Sequence, residues 1–416
     1  MMNIGYIGMS HLGLNMAVGT ALKGFNVLCF DPKKNLINNL RKKRIHIEEP
    51  YLKESIDKIE KNISFTNKIK ELNNCDFVFI AIDINTDDLG NSDLTELKYL
   101  INIVNNSLKN SIPLILMSQV NPGFCQSINI NRDFYYQVET LIFGEAVKRA
   151  TSPERIIIGS ENEKISKKYL VFLKKFTEKI IVLNYQTAEL CKVAINCFLI
   201  SSVTTTNLLA EICEKIGADW SKISESLRLD RRIGKYAYLK PGMGISGGNL
   251  ERDLKTVSNI SKKVGSYEKI FNNWSENSNY RKNWVFEKLN FNLIKTRRQP
   301  LITVWGLTYK ENTHSLKNSP SLKLLSKITK YKLNLFDPII KKIYINGKCF
   351  YSLKSLNNTL INSDALCIMN ASKMFEYINY KFFNKMNQKL IIDPLGILDK
   401  KKLPKQSKYI KMGEKC

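Results

Sequence analysis

The chain has 416 residues, 44% of them hydrophobic and 25% charged, enough for two or three domains with ample buried cores. Its formal net charge of +26 suits anionic partners: nucleic acid, a membrane surface or phosphorylated metabolites. The lysines are spread along the whole chain. Runs such as 41–44 and 400–402 read as solvated faces with no nucleic-acid module beside them, so no nucleic-acid partner is expected.

Nine cysteines form no C-x-x-C pair, which points to free thiols in a reducing compartment rather than disulfides or zinc. No metal is expected. The first residues enter a strand pattern directly and do not read as a signal peptide. The longest apolar stretch, 193–203, is broken by Asn196 and serines and is too short and polar for a membrane span. A cytoplasmic protein without membrane contact is the expectation.

Residues 3–8 read as a buried strand, 14–22 as an apolar helix, and 26–30 as a second strand ending at Asp31. Between strand and helix lies Gly8-Met9-Ser10-His11-Leu12-Gly13, a G-x-G-x-x-G turn whose middle glycine is Ser10. This is the βαβ unit of a dinucleotide fold. Gly8, Ser10 and Gly13 would cradle a pyrophosphate, and Asp31 would hold the adenosine ribose. Ser10 would crowd the pyrophosphate slightly, although its hydroxyl can donate a bond. Asp31 disfavours a 2′-phosphate, so NAD is preferred to NADP.

Strands recur at 77–82 and 114–118 with helices between, the pattern of a doubly wound parallel sheet. A long helix is predicted from 186 to 216. Lys192 and Asn196 share one of its faces, and apolar neighbours such as Val193 and Leu199 mark it as largely buried. Residues 263–295 are polar and helical, with Trp274 and Trp284 as packing residues. A connection near 296–300 leads to strands at 301–305, 333–337, 365–369 and 391–393, a second dinucleotide-like domain.

Four glycines crowd residues 239–254, and a helical run follows from Leu250. Such a loop lets backbone N–H groups approach a ligand, and the helix dipole there favours negative charge. With Gly242, Gly244, Gly247 and Asp253, the stretch resembles the substrate loop G-x-G-x-G-G-x-C-x-P-x-D of the UDP-glucose/GDP-mannose dehydrogenase family. Other segments resemble that family in order and spacing, from Gly8 to Asp393. Glu49-Pro50-Tyr51-Leu52 matches E-P-G-L, and Gly90-Asn91-Ser92-Asp93-Leu94 matches G-x-x-D-L. Ser152-Pro153-Glu154-Arg155-Ile156 matches N-P-D-R-I, and Asp230-Arg231-Arg232-Ile233-Gly234 matches D-x-R-I-G. The run from Gly306 through Lys310 and Lys317 to Pro320 matches G-L-A-F-K-x-N-T-D-D-x-R-x-S-P.

The resemblance implies an α/β fold: two Rossmann-like doubly wound domains joined by a long central helix and a helical dimerisation domain. The expected divisions are 1–185 for NAD, 186–296 for the central helical domain with the substrate loop, and 297–416 for the nucleotide sugar. It implies Lys192 and Asn196 beside the reacting carbon, with Asp253 and Glu139 as the carboxylates. Gly244, Gly247 and Lys310 would serve the substrate, and Lys317 would stand where an arginine meets the cofactor. Arg232 would reach into the neighbouring subunit's site, implying a homodimer.

The family oxidises a nucleotide-sugar primary alcohol twice through a cysteine thioester. Here Asn249 replaces that cysteine, Phe143 the second glutamate, and Gln119 the threonine of S-T-V-x-x-G; the Thr-Pro pair gives way to the stretch 81–85. Asn249 cannot be the nucleophile, and its place after two glycines suits a helix N-cap. Cys191 and Cys197 are not aimed by the sequence. What survives suffices for one hydride transfer. Three readings stay open: a nucleotide-sugar dehydrogenase, stopping at the aldehyde or keto stage or reaching the acid through an aldehyde hydrate; a transient-redox epimerase; or a non-catalytic nucleotide-sugar-binding homologue. A role in cell-surface polysaccharide or glycoconjugate synthesis is implied by the family.

Overall fold

The computed structural model describes residues 1–87 and 91–415, and statements of number or absence below refer to these. Gly90 of the G-x-x-D-L match lies outside them. The chain divides into two compact units: Met1–Asp87 with Asn91–Ile195, and the chain from Asn196 onward.

The first unit opens with β1 (Asn3–Ile7), α1 (His11–Leu22), β2 (Asn26–Phe30), α2 (Lys34–Arg41), α3 (Leu52–Lys58), β3 (Ile63–Thr66) and β4 (Phe77–Ile80). A small hairpin, β5 (Asn85–Thr86) with β6 (Ser92–Asp93), precedes α4 (Thr95–Ser107), β7 (Leu114–Leu116), α5 (Phe124–Ser127) and β8 (Phe134–Gln137). Then come α6 (Ala146–Thr151), β9 (Ile156–Gly159), α7 (Lys167–Leu173) and β10 (Ile180–Leu183). The strands form one sheet in the order β10-β9-β8-β7-β4-β1-β2-β3.

Strands such as β4, buried at every residue, are unbroken apolar runs because helices cover both faces of the sheet. Phe77 and Phe79 pack on one face with Tyr169 and Phe172; Val78 and Ile80 pack on the other with Leu97 and Val104. The sheet departs from the expected all-parallel pattern at one step, where β9 runs antiparallel to β8. A parallel return needs a crossover that runs back along the strands over one face of the sheet. The only helix here, α6, is six residues, about 9 Å long, and it packs on α1, with Gly19 against Ala150.

α8 (Tyr185–Ile216) is continuous for 32 residues. By length and composition it could cross a membrane, which the stretch 193–203 alone does not suggest. Its polar side chains are instead bound to protein. In the first unit Glu189 accepts the N–H groups of Gly123 and Cys125 at 2.5 and 2.8 Å. In the second, Asn207 accepts the Gly242 N–H at 2.7 Å and Glu211 pairs with Arg281 at 3.1 Å.

The second unit continues with α9 (Trp220–Leu229), α10 (Asn249–Lys263), α11 (Lys269–Arg281) and α12 (Trp284–Leu289). Then follow β11 (Leu301–Trp305), α13 (Pro320–Ile328), β12 (Lys332–Phe336), the hairpin β13 (Lys342–Ile345) and β14 (Lys348–Tyr351), β15 (Ala365–Ile368), β16 (Leu390–Ile392) and β17 (Lys408–Ile410). Its main sheet, β12-β11-β15-β16-β17, is parallel throughout. Trp284 is buried as expected, and Trp274 packs edge-on against Phe271.

Tyr51 occupies the glycine position of the E-P-G-L match with φ +64°, a left-handed conformation that costs a side-chain-bearing residue about 1–2 kcal/mol. Its ring is exposed and supplies little packing in return. We expect Tyr51→Gly to raise stability by up to about 1 kcal/mol, or about 2–4 °C in a thermal melt, after allowing for glycine's entropy cost.

Candidate active site

In the first unit the strand order reverses at β1, so a crevice opens beyond the carboxyl ends of β1 and β4. The turn Gly8–Gly13 lies there. Gly8 has φ +89°, and a Cβ on it would come within 2.0 Å of the Ile82 side chain. A Cβ on Gly13 would lie 1.8 Å from the Gly8 carbonyl, so helix and strand close only on glycine. Asp31 is buried at the end of β2. Its carboxylate accepts the Met9 and Lys33 N–H groups, each at 2.9 Å, and is thereby fixed beside the turn. The glycine cradle and the fixed Asp31 carboxylate fit NAD.

Ser10 lies at the mouth of α1. Its hydroxyl accepts the Asp83 N–H at 3.0 Å and faces the Ala81 carbonyl at 3.4 Å. His11 pairs with Glu49 at 2.9 Å, and Glu49 also accepts the Ala146 N–H at 2.9 Å. Phe143 packs against the His11 ring, centroids 4.1 Å apart and planes tilted by 31°. An aromatic ring thus rests against the dinucleotide turn where the family pattern has a carboxylate.

Glu139 and Lys192 form a largely buried ion pair at 3.1 Å in this unit. The second Glu139 oxygen accepts the Leu141 N–H. The pair holds the ammonium in place and leaves its other donors for a ligand. Glu189, one turn earlier on α8, is fully buried on two backbone N–H groups. Sequence reasoning passed over it, although a carboxylate inside an apolar helical run is the available signal.

In the second unit Asn196 donates to the buried Asp253 carboxylate. The Arg252 Nε donates to the other Asp253 oxygen at 3.1 Å, and Arg252 is itself buried. One amide and one guanidinium thus satisfy the two oxygens of this buried carboxylate. Cys197 stands near it. Burial, with the Asp253 charge second, pushes the Cys197 thiol up to about 11.

The glycine loop is held mainly by protein. Ile245 N–H donates to the Ser278 hydroxyl at 2.8 Å, and a Cβ on Gly244 would meet the Ser278 carbonyl at 2.5 Å. A Cβ on Gly247 would come within 2.9 Å of the Tyr309 ring, and Asn318 donates to the Gly247 carbonyl at 3.3 Å. A cavity of about 290 Å³ lies beside the loop, lined by Ile245, Glu251, Lys255, Asn272, Lys282 and Asn318.

Asn249 is not the helix N-cap. Gly248 takes that position with no side-chain cap, and Asn249 is the first helical residue with an exposed side chain. The loop is already fixed through Ser278 and Asn318, so the helix starts one residue earlier than a carboxamide cap requires. Lys310 and Lys317 are half-buried in the loop after β11, where the Thr308 hydroxyl donates to the Lys310 carbonyl at 2.7 Å. Arg232 is exposed and pairs with Asp230 at 2.6 Å.

The comparisons with known proteins agree across the chain. Models of the UDP-glucose/GDP-mannose dehydrogenase family match in three parts: the NAD binding domain over residues 2–177, the central domain over 186–280 and the UDP binding domain over 303–400. A UDP-glucose 6-dehydrogenase of Rickettsia bellii is 30% identical over 95% of this chain and 96% of its own. A Bacillus subtilis UDP-glucose 6-dehydrogenase is 28% identical over 82% of this chain and 76% of its own. Among solved structures, a UDP-glucose dehydrogenase from Pyrobaculum islandicum has the same fold, with TM-score 0.86 at 22% identity over 100% of this chain and 98% of that one.

The Cys197 geometry has a direct chemical readout. Thiolate is the reacting species, and with the thiol near 11 its fraction is small at pH 8 and grows about tenfold per pH unit up to that value. We expect peptide-resolved alkylation of Cys197 to be slow at pH 8 and to accelerate in that proportion as pH rises.

Proposed function

The chain belongs to the UDP-glucose/GDP-mannose dehydrogenase family and is an NAD-dependent nucleotide-sugar dehydrogenase, and on that premise we propose that it removes one hydride from a UDP-glucose-like substrate and stops at the aldehyde or keto stage. The observation that carries this reading is Asn249, an exposed carboxamide at the first residue of α10 where the family pattern has its cysteine. A neutral amide does not attack an aldehyde. Cys197, held protonated by burial and by Asp253, is a poor substitute.

NAD bound at the β1–α1 turn supplies the acceptor for the hydride. The residues supply the rest. The Asp253 carboxylate takes the alcohol proton, and the Lys192 ammonium, steadied by Glu139, stabilises the oxygen as it becomes negative. Asn196 orients Asp253 through its amide. Gly8, Ser10, Gly13 and Asp31 serve the cofactor, with Lys317 as a further contact. Gly244, Gly247 and Lys310 serve the nucleotide sugar. The three divisions 1–185, 186–296 and 297–416 follow these tasks.

The active form is a homodimer that shares its sites through Arg232. Large apolar side chains on and after α8 support this: Phe198, Ile216, Leu229 and Tyr236 are 72–85% exposed. We expect Phe198→Glu to shift the protein to monomer in sedimentation velocity. A dimer of unchanged stability removes this face from the interface.

Lys192→Met and Asp253→Asn should each lower the oxidation rate by about 10²-fold or more. The decisive experiment is intact-protein mass after incubation with NAD and UDP-glucose. The natural protein should carry no covalent adduct. Asn249→Cys should acquire one, because it restores the thiol at the position where the family pattern has its nucleophile. A substrate-derived adduct on the natural protein would refute the thiol-free reading.

A further inference from the structure

The segment after β4 is pressed onto the dinucleotide turn. Ile82 lies where a Gly8 side chain would be, and the Ala81 carbonyl lies 2.6 Å from a Cβ built on Gly13. The next residue, Asp83, sends its carboxylate to the N-terminus of α1, where Oδ2 accepts the Leu12 N–H at 3.4 Å. The Ser10 hydroxyl holds the same residue by accepting its N–H at 3.0 Å. The residue replacing the middle glycine therefore anchors an anion at the positive end of the helix. α1 carries no acidic residue in its own first turn, so Asp83 contributes a negative charge that the helix sequence does not.

In a dinucleotide fold that helix end receives the cofactor's pyrophosphate. We propose that Asp83 is a built-in competitor for the pyrophosphate: NAD binds only by displacing its carboxylate from the Leu12 N–H or by lying against a like charge. This rests on the NAD reading of the turn and extends it. Asp83 sets how tightly NAD is held without contributing to recognition of adenosine, which falls to Asp31 on the other side of the turn. The residue favours cofactor release and makes occupancy of the site depend on cofactor concentration. Asp83 is exposed, so the repulsion acts through solvent, and its size is that of a single well-screened like-charge contact.

The test is the equilibrium binding of NAD, and separately of adenosine, to the full-length natural protein, Asp83→Asn and Asp83→Ala, by titration calorimetry at fixed ionic strength. Asp83→Asn keeps the shape and the acceptor while removing the charge. NAD should bind it about fivefold more tightly or better, the factor for one unit-charge contact near 4 Å in water-like screening. Asp83→Ala should gain similarly, and adenosine affinity should be the same in all three. NAD affinity that is unchanged or weaker in both variants overturns the proposal, as does an equal gain for adenosine, which would mark a general change of the turn. Failure of all three proteins to bind either ligand, with thermal melts showing them folded, overturns the NAD reading of the turn and this proposal with it.

Discussion

A charge taken out of water must be paired, and α8 is built around that constraint. Its apolar surface would let it slide or rotate against its neighbours. Its polar residues do not allow this: Glu189 is tied to Gly123 and Cys125, and Lys192 to Glu139. Further along, Asn196 is tied to Asp253, Asn207 to Gly242, and Glu211 to Arg281. Each bond fixes a rotation of the helix that apolar packing alone would leave soft. Two of these ties also position the groups assigned to the chemistry. Fold stability and the proposed catalytic geometry therefore rest on the same buried pairs.

Much of the fold was legible because its signals are local. The β1–α1–β2 unit announces itself through apolar runs of fixed period, two glycines at positions that admit no Cβ, and an acidic residue at the end of the second strand. The second sheet was readable from the same kind of run at β11, β12, β15 and β16. The antiparallel step from β8 to β9 was not, because it depends on a six-residue helix packing on α1 rather than running back along the strands. No local pattern encodes that choice.

The site was legible to a lesser degree, and for the same reason. Motif spacing indicates which residues to inspect but not their partners. The Lys192–Glu139 and Asn196–Asp253 pairs join residues more than fifty positions apart. Asn249 looked like a cap because a carboxamide follows two glycines. The loop is pinned instead through Ser278 and Asn318, which leaves the cap to Gly248. The side-chain space at Gly244 and Gly247 is taken by Ser278 and Tyr309, partners that no motif spacing indicates, so only backbone groups there are left for a ligand. Asp83 carried no recognisable pattern, and only the folded turn brings it to the start of α1.

These departures from the family pattern share a direction. The thiol is gone, the second glutamate is an aromatic ring packed on His11, and the Cys197 thiol is pushed up by burial. Asp253 and the paired Lys192 are kept. On the proposed reading they serve the removal of one hydride and one proton, with no thiol for a covalent second step. The most direct measurement is the number of NADH formed per UDP-sugar consumed, with the product identified by mass. One NADH per sugar with an aldehyde or ketone product is the expected result. Two NADH per sugar with a carboxylate product would contradict the truncated reaction and require either a nucleophile not assigned above or oxidation of an aldehyde hydrate.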